Sequence, residues 1–280
     1  MIRPQVSIQC VQGGFYGMKI SVITVCFNAA ETIADTMASI RSQSHPHIEY
    51  IIVDGGSTDA TLSIIEQNRD VVSVLLTGPD DGMYHAANKG ITVATGEVIG
   101  MLNADDYYAD RDVLKDVAAS IIEGSDAVYG NLHYVDREHP EIIIRNWISG
   151  PYDKKSFLSG WMPPHPTFFI RKQAYDAHGA FRLDFDSAAD YELMLRMLYK
   201  HSVKTGHIDR VLVKMRVGGM SNITLANRIR ANKQDRKAWK INGLKAAWYT
   251  LHLKPLSKLR QFFNLHTKKT KYNGDEKHAR

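Results

Sequence analysis

Acids and amides recur at one kind of position in the first 110 residues, directly after a short apolar run. ISVITVCF ends at Asn28, and YIIV ends at Asp54 in the string VDGGSTDAT. VVSVLL runs into Thr77-Gly-Pro-Asp-Asp81, and VIGML runs into Asn103-Ala-Asp-Asp106. Ionised carboxylates only accept hydrogen bonds, so a cluster of them with few Lys or Arg nearby calls for a cation. A divalent metal with oxygen ligands is the economical partner. That points to metal-assisted chemistry on a phosphate ester or nucleotide. No Ser-His-Asp or Cys-His arrangement supplies a protein nucleophile.

Such residues need elements that deliver them to one rim. Runs of four to eight residues rich in Val and Ile read as strands buried on both faces. Between them lie helical stretches at 30–42, 59–68, 83–94 and 110–122. The first puts Ile33, Met37 and Ile40 on one face, with Asn28 as its cap, and Ser57 or Thr58 caps the second. Alternating strands and helices with short connections predict a parallel sheet with right-handed crossovers. Ligands then bind beyond the carboxyl ends of the strands. After Ser125 the pattern changes. AVYGNLHYV and EIIIRNWI read as an antiparallel pair, followed by a loop at 159–166, the strand TFFI and a helix at 171–178. A helix at 188–199 and a strand near 211–216 complete the reading. The predicted fold is α/β and Rossmann-like: a mostly parallel central sheet flanked by helices, with a helical, basic C-terminal extension.

Composition sets the bounds. The 280 residues are 44% hydrophobic and 23% charged, ordinary for one large globular domain plus an appendage. No apolar stretch approaches the roughly 20 residues needed to cross a bilayer, and residues 1–17 have no signal-peptide pattern. Met18 reads as the natural start, with 1–17 as a disordered arm. Two cysteines, Cys10 and Cys26, make no disulfide framework and suit a cytoplasmic protein. The net charge of +5 is uneven, because residues 228–271 hold 13 Lys or Arg against one acid, Asp235. That segment carries +12, which leaves −7 on the rest. The expected organisation is a catalytic domain at 18–221 and a basic helical extension at 222–280. Trp239, Trp248, Tyr249, Phe262 and Phe263 give the extension the aromatics of a segment drawn to an anionic leaflet. It shows no zinc-ligand spacing and no RNA-recognition signature, so no nucleic-acid partner is expected.

Six motifs, VITVCFN, VDGGSTD, GMYHAANKGI, LNADDYY, PHPTFFIRKQAYDAHGAF and ADYELMLRM, occur in this order. The chain thereby resembles family 2 glycosyltransferases, in particular bacterial enzymes that assemble O-antigen or other surface polysaccharides. The resemblance covers residues 19–221 and implies a GT-A-like fold. It implies that Phe27 and Asn28 line the nucleoside pocket, where helix capping is the plain alternative for Asn28. Asp54 would accept the uracil imide proton, with Gly55 and Gly56 letting the base approach; alternatively it orders the turn. Asp81 and Asn88 would join the donor site, and Lys89 would meet a phosphate or the acidic rim. The family's Asp-x-Asp signature falls on Asn103-Ala104-Asp105. Its last carboxylate binds the metal that bridges the donor's diphosphate, so Asp105 is the expected ligand of Mg²⁺ or Mn²⁺. Asn103 departs from the pattern and brings no charge, for which Asp106 would partly compensate.

Asp190 matches the family's general base, although Ala189 stands where its Glu partner would be. Capping of the following helix is compatible with that role. His165, held between two prolines, would touch donor sugar or diphosphate, and Trp161 in the same loop would stack on a sugar. The implied reaction is a one-step displacement with inversion. It joins a nucleotide-sugar donor, a UDP-sugar first, to a saccharide carried on a polyprenyl diphosphate. Its expected place is the inner face of the cell membrane, peripherally bound.

Overall fold

The computed structural model describes residues 17–185, 188–218, 225–246 and 250, excluding the side chains of 225–232. Its first half alternates strand and helix: β1 Ile20–Cys26, α1 Ile33–Arg41, β2 Ile48–Asp54, α2 Thr61–Gln67, β3 Val74–Thr77, α3 Met83–Val93 and β4 Val98–Met101. The second half runs β5 Asp106–Tyr108, α4 Val113–Ile122, β6 Ala127–Val135, β7 Ile143–Trp147, β8 Phe169–Arg171 and α5 Lys172–His178. Then come α6 Ala189–Met194, a π-type turn Leu195–Lys200, β9 Thr205–Arg216 and α7 Leu225–Ile241.

The nine strands of the described residues join one sheet in the order β3-β2-β1-β4-β8-β6-β9-β5, with β7 paired to β6. Strands β1 to β4 are parallel, as alternation with helices requires. Beyond β4 the sheet is mixed. β8 runs antiparallel to β4 and β6, β7 antiparallel to β6, and β9 parallel to β6 but antiparallel to β5. One face is covered by apolar side chains of α1, α2 and α4, such as Ile33, Met37, Ile65 and Val117. The other is covered by Ala87 and Ile91 of α3, Leu193 of α6 and Trp239 of α7. Gly90 lets α3 lie close on β1, since a Cβ there would come within 2.5 Å of Ile23.

Several elements differ from their expected bounds. The expected strand run began at Val71, but Val71 closes a 3-10 turn over 69–71 and β3 begins only at Val74. β5 was not anticipated, and β9 begins at Thr205 rather than near residue 211. The C-terminal helix departs most. Trp239 is 2% exposed, sits in the core, and donates to the Tyr191 hydroxyl at 2.9 Å. Asp235 is buried too. Residues 233–242 therefore pack onto the sheet domain, and Trp239 is not an interfacial aromatic. Residues 1–16 of the expected arm, together with Trp248, Tyr249, Phe262 and Phe263, lie outside the described residues.

Candidate active site

At the carboxyl ends of β1 and β2, the polar residues bond chiefly to one another. Asp54 is completely buried. One of its oxygens accepts from the amides of Gly56 and Ser57 at 3.0 and 2.9 Å, and the other from the Ser57 hydroxyl at 2.5 Å. A carboxylate used in this way shapes the loop after β2, the alternative that the sequence offered for Asp54. Gly56 completes that loop at φ +88°, a backbone conformation glycine adopts without strain. Asn28 does not cap α1. Its backbone is left-handed at φ 50°, and its side-chain oxygen accepts from the Thr58 amide at 2.9 Å. With Ala29 bonded to Thr61 and Ala30 to Asp59, Asn28 ties the loop after β1 to the loop after β2.

This braced end leaves two features for a ligand. Phe27 stands 62% exposed at the rim. A cleft of about 310 Å³ opens between the ends of β2 and β3, lined by Val53, Asp54, Leu75 to Gly78 and Lys89, at the lower end of the range for small-molecule sites.

The next carboxylates separate sharply. The Asp81 side chain is 97% exposed, whereas that of Asp80 is 5% exposed and pairs with Lys89 at 2.5 Å. The inward residue of the pair is Asp80, which corrects the choice of Asp81. Asn88 is likewise not a ligand contact, because its amide exchanges two hydrogen bonds with the backbone of Phe181, at 2.8 and 2.9 Å. It clamps the segment that leads to α6. Trp161 also proves structural. It packs among Tyr129, Tyr152 and Phe157 and donates to the Ser149 carbonyl at 2.8 Å.

After β4, Asn103 donates to one oxygen of Asp106 at 2.8 Å. Asp106 is fully buried, and its other oxygen has no hydrogen-bond partner among the described residues. Burial, reinforced by the charge of Asp105, drives its pKa well above the ordinary carboxylate value. Burial thus disfavours the charged form of Asp106. Asp105 is half-exposed, and Arg216 donates to its backbone carbonyl at 3.1 Å. None of the side-chain hydrogen bonds described at this end of the sheet consumes the Asp105 carboxylate.

With Asp54 hydrogen-bonded to its own loop and Asp80 paired with Lys89, the rim offers fewer open carboxylates than its residue types suggest. Among the described residues no group of three His, Cys, Asp or Glu could hold a metal unaided. That suits a cation held by one carboxylate, Asp105, and completed by substrate phosphate oxygens and water. It does not suit a closed protein site.

Asp190 lies in the first turn of α6, half-exposed, with one oxygen accepting from the Tyr191 amide at 2.8 Å. His165 is brought to it. Burial lowers the His165 pKa while the Asp190 charge opposes that shift, and the ring packs edge-on to Phe181 at 5.5 Å. Tyr84 of α3, which sequence reasoning missed, places its phenol oxygen among the amides of Ala189 and Asp190 and the Asp190 carboxylate. Tyr134 of β6, also missed, is the link to the other carboxylates. Its phenol, raised in pKa by burial, feels both Asp106 and Asp190. The Arg145 guanidinium lies 4.7 Å from the Tyr134 ring and 5.5 Å from that of Trp147. Only the aromatic alternation of β6 and β7 hinted at this stack.

The molecule therefore offers the Asp190 carboxylate at a helix terminus and the Asp105 carboxylate after β4, with a separate small cleft between the ends of β2 and β3. Comparison with known proteins agrees. Residues 21–191 match the family model described as Glycosyl transferase family 2. The chain is 30% identical over 212 residues to a PGL/p-HBAD biosynthesis glycosyltransferase of Mycobacterium bovis, covering 72% of this chain and 78% of the relative. Among solved structures, TarS of S. aureus (residues 1–349) in complex with UDP-GlcNAc superposes with a TM-score of 0.64 at 21% identity, over 89% of this chain and 73% of that one. The mannosyltransferase PcManGT of Pyrobaculum calidifontis, in complex with GDP-Man and Mn²⁺, gives 0.60 at 19% identity, over 85% and 69%. Both structures share the GT-A-like fold, and the match over most of the sheet domain makes this chain a member of glycosyltransferase family 2.

Proposed function

We propose that this enzyme transfers a sugar, with inversion, from a nucleotide-sugar donor to a hydroxyl of a lipid-linked saccharide during assembly of O-antigen or exopolysaccharide. The observation that carries the reading is the convergence of Asp190, His165 and Tyr84 on one terminus, with Asp105 and Asp106 beyond Tyr134. A UDP-sugar is the first donor to test, because TarS is described with UDP and with UDP-GlcNAc.

Asp190 accepts the proton as the acceptor oxygen bonds to the anomeric carbon, and the bond from that carbon to the diphosphate oxygen breaks with its electron pair. A carboxylate serves as the base when proton transfer accompanies attack. The buried His165 ring, held neutral, can hydrogen-bond without adding positive charge beside the base. Asp105, assisted by the Asn103 carbonyl, would hold Mg²⁺ or Mn²⁺ with the donor's diphosphate. When bound, such an ion neutralises charge on the leaving group.

No helix among the described residues is long and apolar enough to cross a membrane. Attachment to the inner face of the cell membrane would fall to the basic residues after 241, each contributing about 1 kcal/mol when it reaches an anionic surface. The test is hydrolysis and transfer with a panel of nucleotide sugars, with and without chelator, and with Asp190→Asn. Turnover that ignores both the chelator and the substitution would overturn the assignment.

A further inference from the structure

Five lysines among the described residues are partly buried. Four have a carboxylate partner: Lys19 with Glu49, Lys89 with Asp80, Lys172 with Asp176 and Lys237 with Asp184; the fifth, Lys214 of β9, has none among the described residues. The strand register shows its company. Lys214 stands opposite Tyr107 of β5 on one side and His133 of β6 on the other, and His133 stands opposite Asn146 of β7. Cross-strand partners share a face. Their neighbours along the chain, Tyr108, Leu132, Tyr134, Trp147, Val213 and Met215, pack in or against the core on the α1 and α4 side. Tyr107, Lys214, His133 and Asn146 therefore face the other way, onto the face that α6, the bearer of Asp190, covers through Leu193. The row also starts at the rim. Arg216, two residues along β9, lies 5.0 Å from the Tyr107 ring and donates to the Asp105 carbonyl at 3.1 Å. Arg216 is itself paired with Asp35, so the uncommitted cation is Lys214. At the other end, the side-chain oxygen of Asn146 is buried with no hydrogen-bond partner among the described residues. Strands lie about 4.8 Å apart, so Lys214 and Asn146 bracket about 10 Å across His133, room for one sugar ring with its hydroxyls. A half-buried ammonium without a counter-ion calls for an anion, and a buried oxygen without a donor calls for one.

We propose that this row is a subsite for an acidic sugar unit of the acceptor: Lys214 pairs with a carboxylate or phosphate on that unit, and Asn146 accepts from one of its hydroxyls. This deepens the transferase reading above and rests on it. The occupant is the acceptor rather than the donor's nucleoside, because β6, β7 and β9 lie on the far side of β4 from β1, β2 and β3. Burial, with the Lys214 charge, lowers the His133 pKa, so that ring contributes hydrogen bonds and leaves the charge pairing to Lys214.

The test titrates the full chain with D-glucuronate, D-glucose 6-phosphate, D-glucose and inorganic phosphate by ligand-observed NMR, which needs no turnover. At least one of the two acidic sugars should bind at least about tenfold more tightly than glucose, the scale of one charge-assisted hydrogen bond. The preference between those two tells a uronate from a sugar phosphate. Lys214→Met keeps the packing of the stem and should bring all three sugars within about twofold. Lys214→Arg should retain most of the preference, and Asn146→Ala should weaken the sugars without weakening inorganic phosphate. The melting temperature and uridine diphosphate affinity of Lys214→Met should match the wild type. Equal binding of the three sugars by the wild type overturns the proposal, as does a preference that survives Lys214→Met. So does inorganic phosphate that binds as tightly as the preferred acidic sugar, because the row would then read an anion without its sugar. Uridine diphosphate affinity lost in Lys214→Met overturns it too, since Lys214 would then serve the donor's diphosphate. Failure to turn over any nucleotide sugar overturns the transferase reading instead, and leaves the binding result to stand separately.

Discussion

Two buried carboxylates, one in each half of the sheet, meet opposite fates. Glu49 opens β2, 5% exposed, and accepts from Lys19 at 2.9 Å, from Ser21 at 2.5 Å, and from the amide and hydroxyl of Thr95 at 2.7 and 2.5 Å. Burial alone would raise its pKa, but these donors outweigh it and bring the group down to about 2. Asp106 on β5 has one side-chain donor, Asn103, and a like charge next to it, so burial wins and its pKa rises. The contrast holds more widely. Apart from Asp80 and Arg210, which are ion-paired, every buried side-chain atom without a hydrogen-bond partner among the described residues lies after position 105. The parallel half satisfies its polar groups and serves as scaffold. The mixed half leaves groups open, which is where unsatisfied atoms call for a ligand or a catalytic role.

Substitutions can break that comparison. The largest effects on turnover should fall in the mixed half with little change in stability. Asp190→Asn should slow sugar transfer at least about 100-fold, the scale of a lost general base, while nucleotide binding and melting temperature persist. Asp105→Ala should abolish metal-stimulated transfer and stay folded. If calorimetry showed nucleotide affinity collapsing with the rate in Asp190→Asn, that residue would belong to the scaffold.

Trp239→Ala should give the largest loss of stability, about 3–5 kcal/mol in denaturant titration, because a fully packed indole leaves a cavity. A loss under about 1 kcal/mol would mean that α7 rests on the domain loosely. Asp54→Ala comes next. It strands the amides of Gly56 and Ser57, at about 1–3 kcal/mol, and should lower donor affinity only as far as it loosens the loop. Unchanged stability together with lost uridine binding would return Asp54 to the list of base contacts.

The smallest effects concern pH, and their signs are opposed. Glu49 is depressed in the folded state, so its contribution is present above the unfolded carboxylate value of about 4.3 and is lost as pH falls towards 2. Asp106 is raised, so the native state is favoured at low pH and loses that advantage as pH climbs above about 3.9, where the unfolded chain ionises first. Asp106→Asn should therefore be more stable than the wild type at pH 7 and lose that margin near pH 4. Glu49→Gln should be less stable at pH 7 and close the gap in acid. Melting curves across that range decide both.

Much of the parallel half was legible because its signals are local. The Val- and Ile-rich runs of β1, β2 and β4 each end within two residues of a turn signal, and Ile33, Met37 and Ile40 announce the face of α1. The antiparallel pairing of β6 and β7 followed from two runs joined by a polar turn. What escaped depends on distant partners. β5 is three residues long and is fixed by β9, paired through Tyr107 and Lys214. Trp239 looks interfacial among its lysines until α6 is placed beneath it. Spacing could not separate Asp80 from Asp81, because only the path of the turn decides which side chain points inward. Nor could it show that Asn28, Asp54 and Asn88 spend their hydrogen bonds on backbone. His165 lies close enough to Asp190 to feel its charge, and the proline frame around His165 was the legible cue.

The ties between the two loops at the donor end carry one more consequence. Asn28 with Thr58, Ala29 with Thr61, and Ala30 with Asp59 brace each loop against the other. Among the described residues an exposed ion pair, Arg137 with Glu31, reaches from there to the β6–β7 turn, and such pairs contribute little. Drift in the β6–β7 hairpin therefore has little to carry it into these two loops. A lineage built on this plan can change what it decorates while keeping the activated sugar it spends. In the laboratory the same separation should make the hairpin a place to graft new acceptor preferences without retuning the donor.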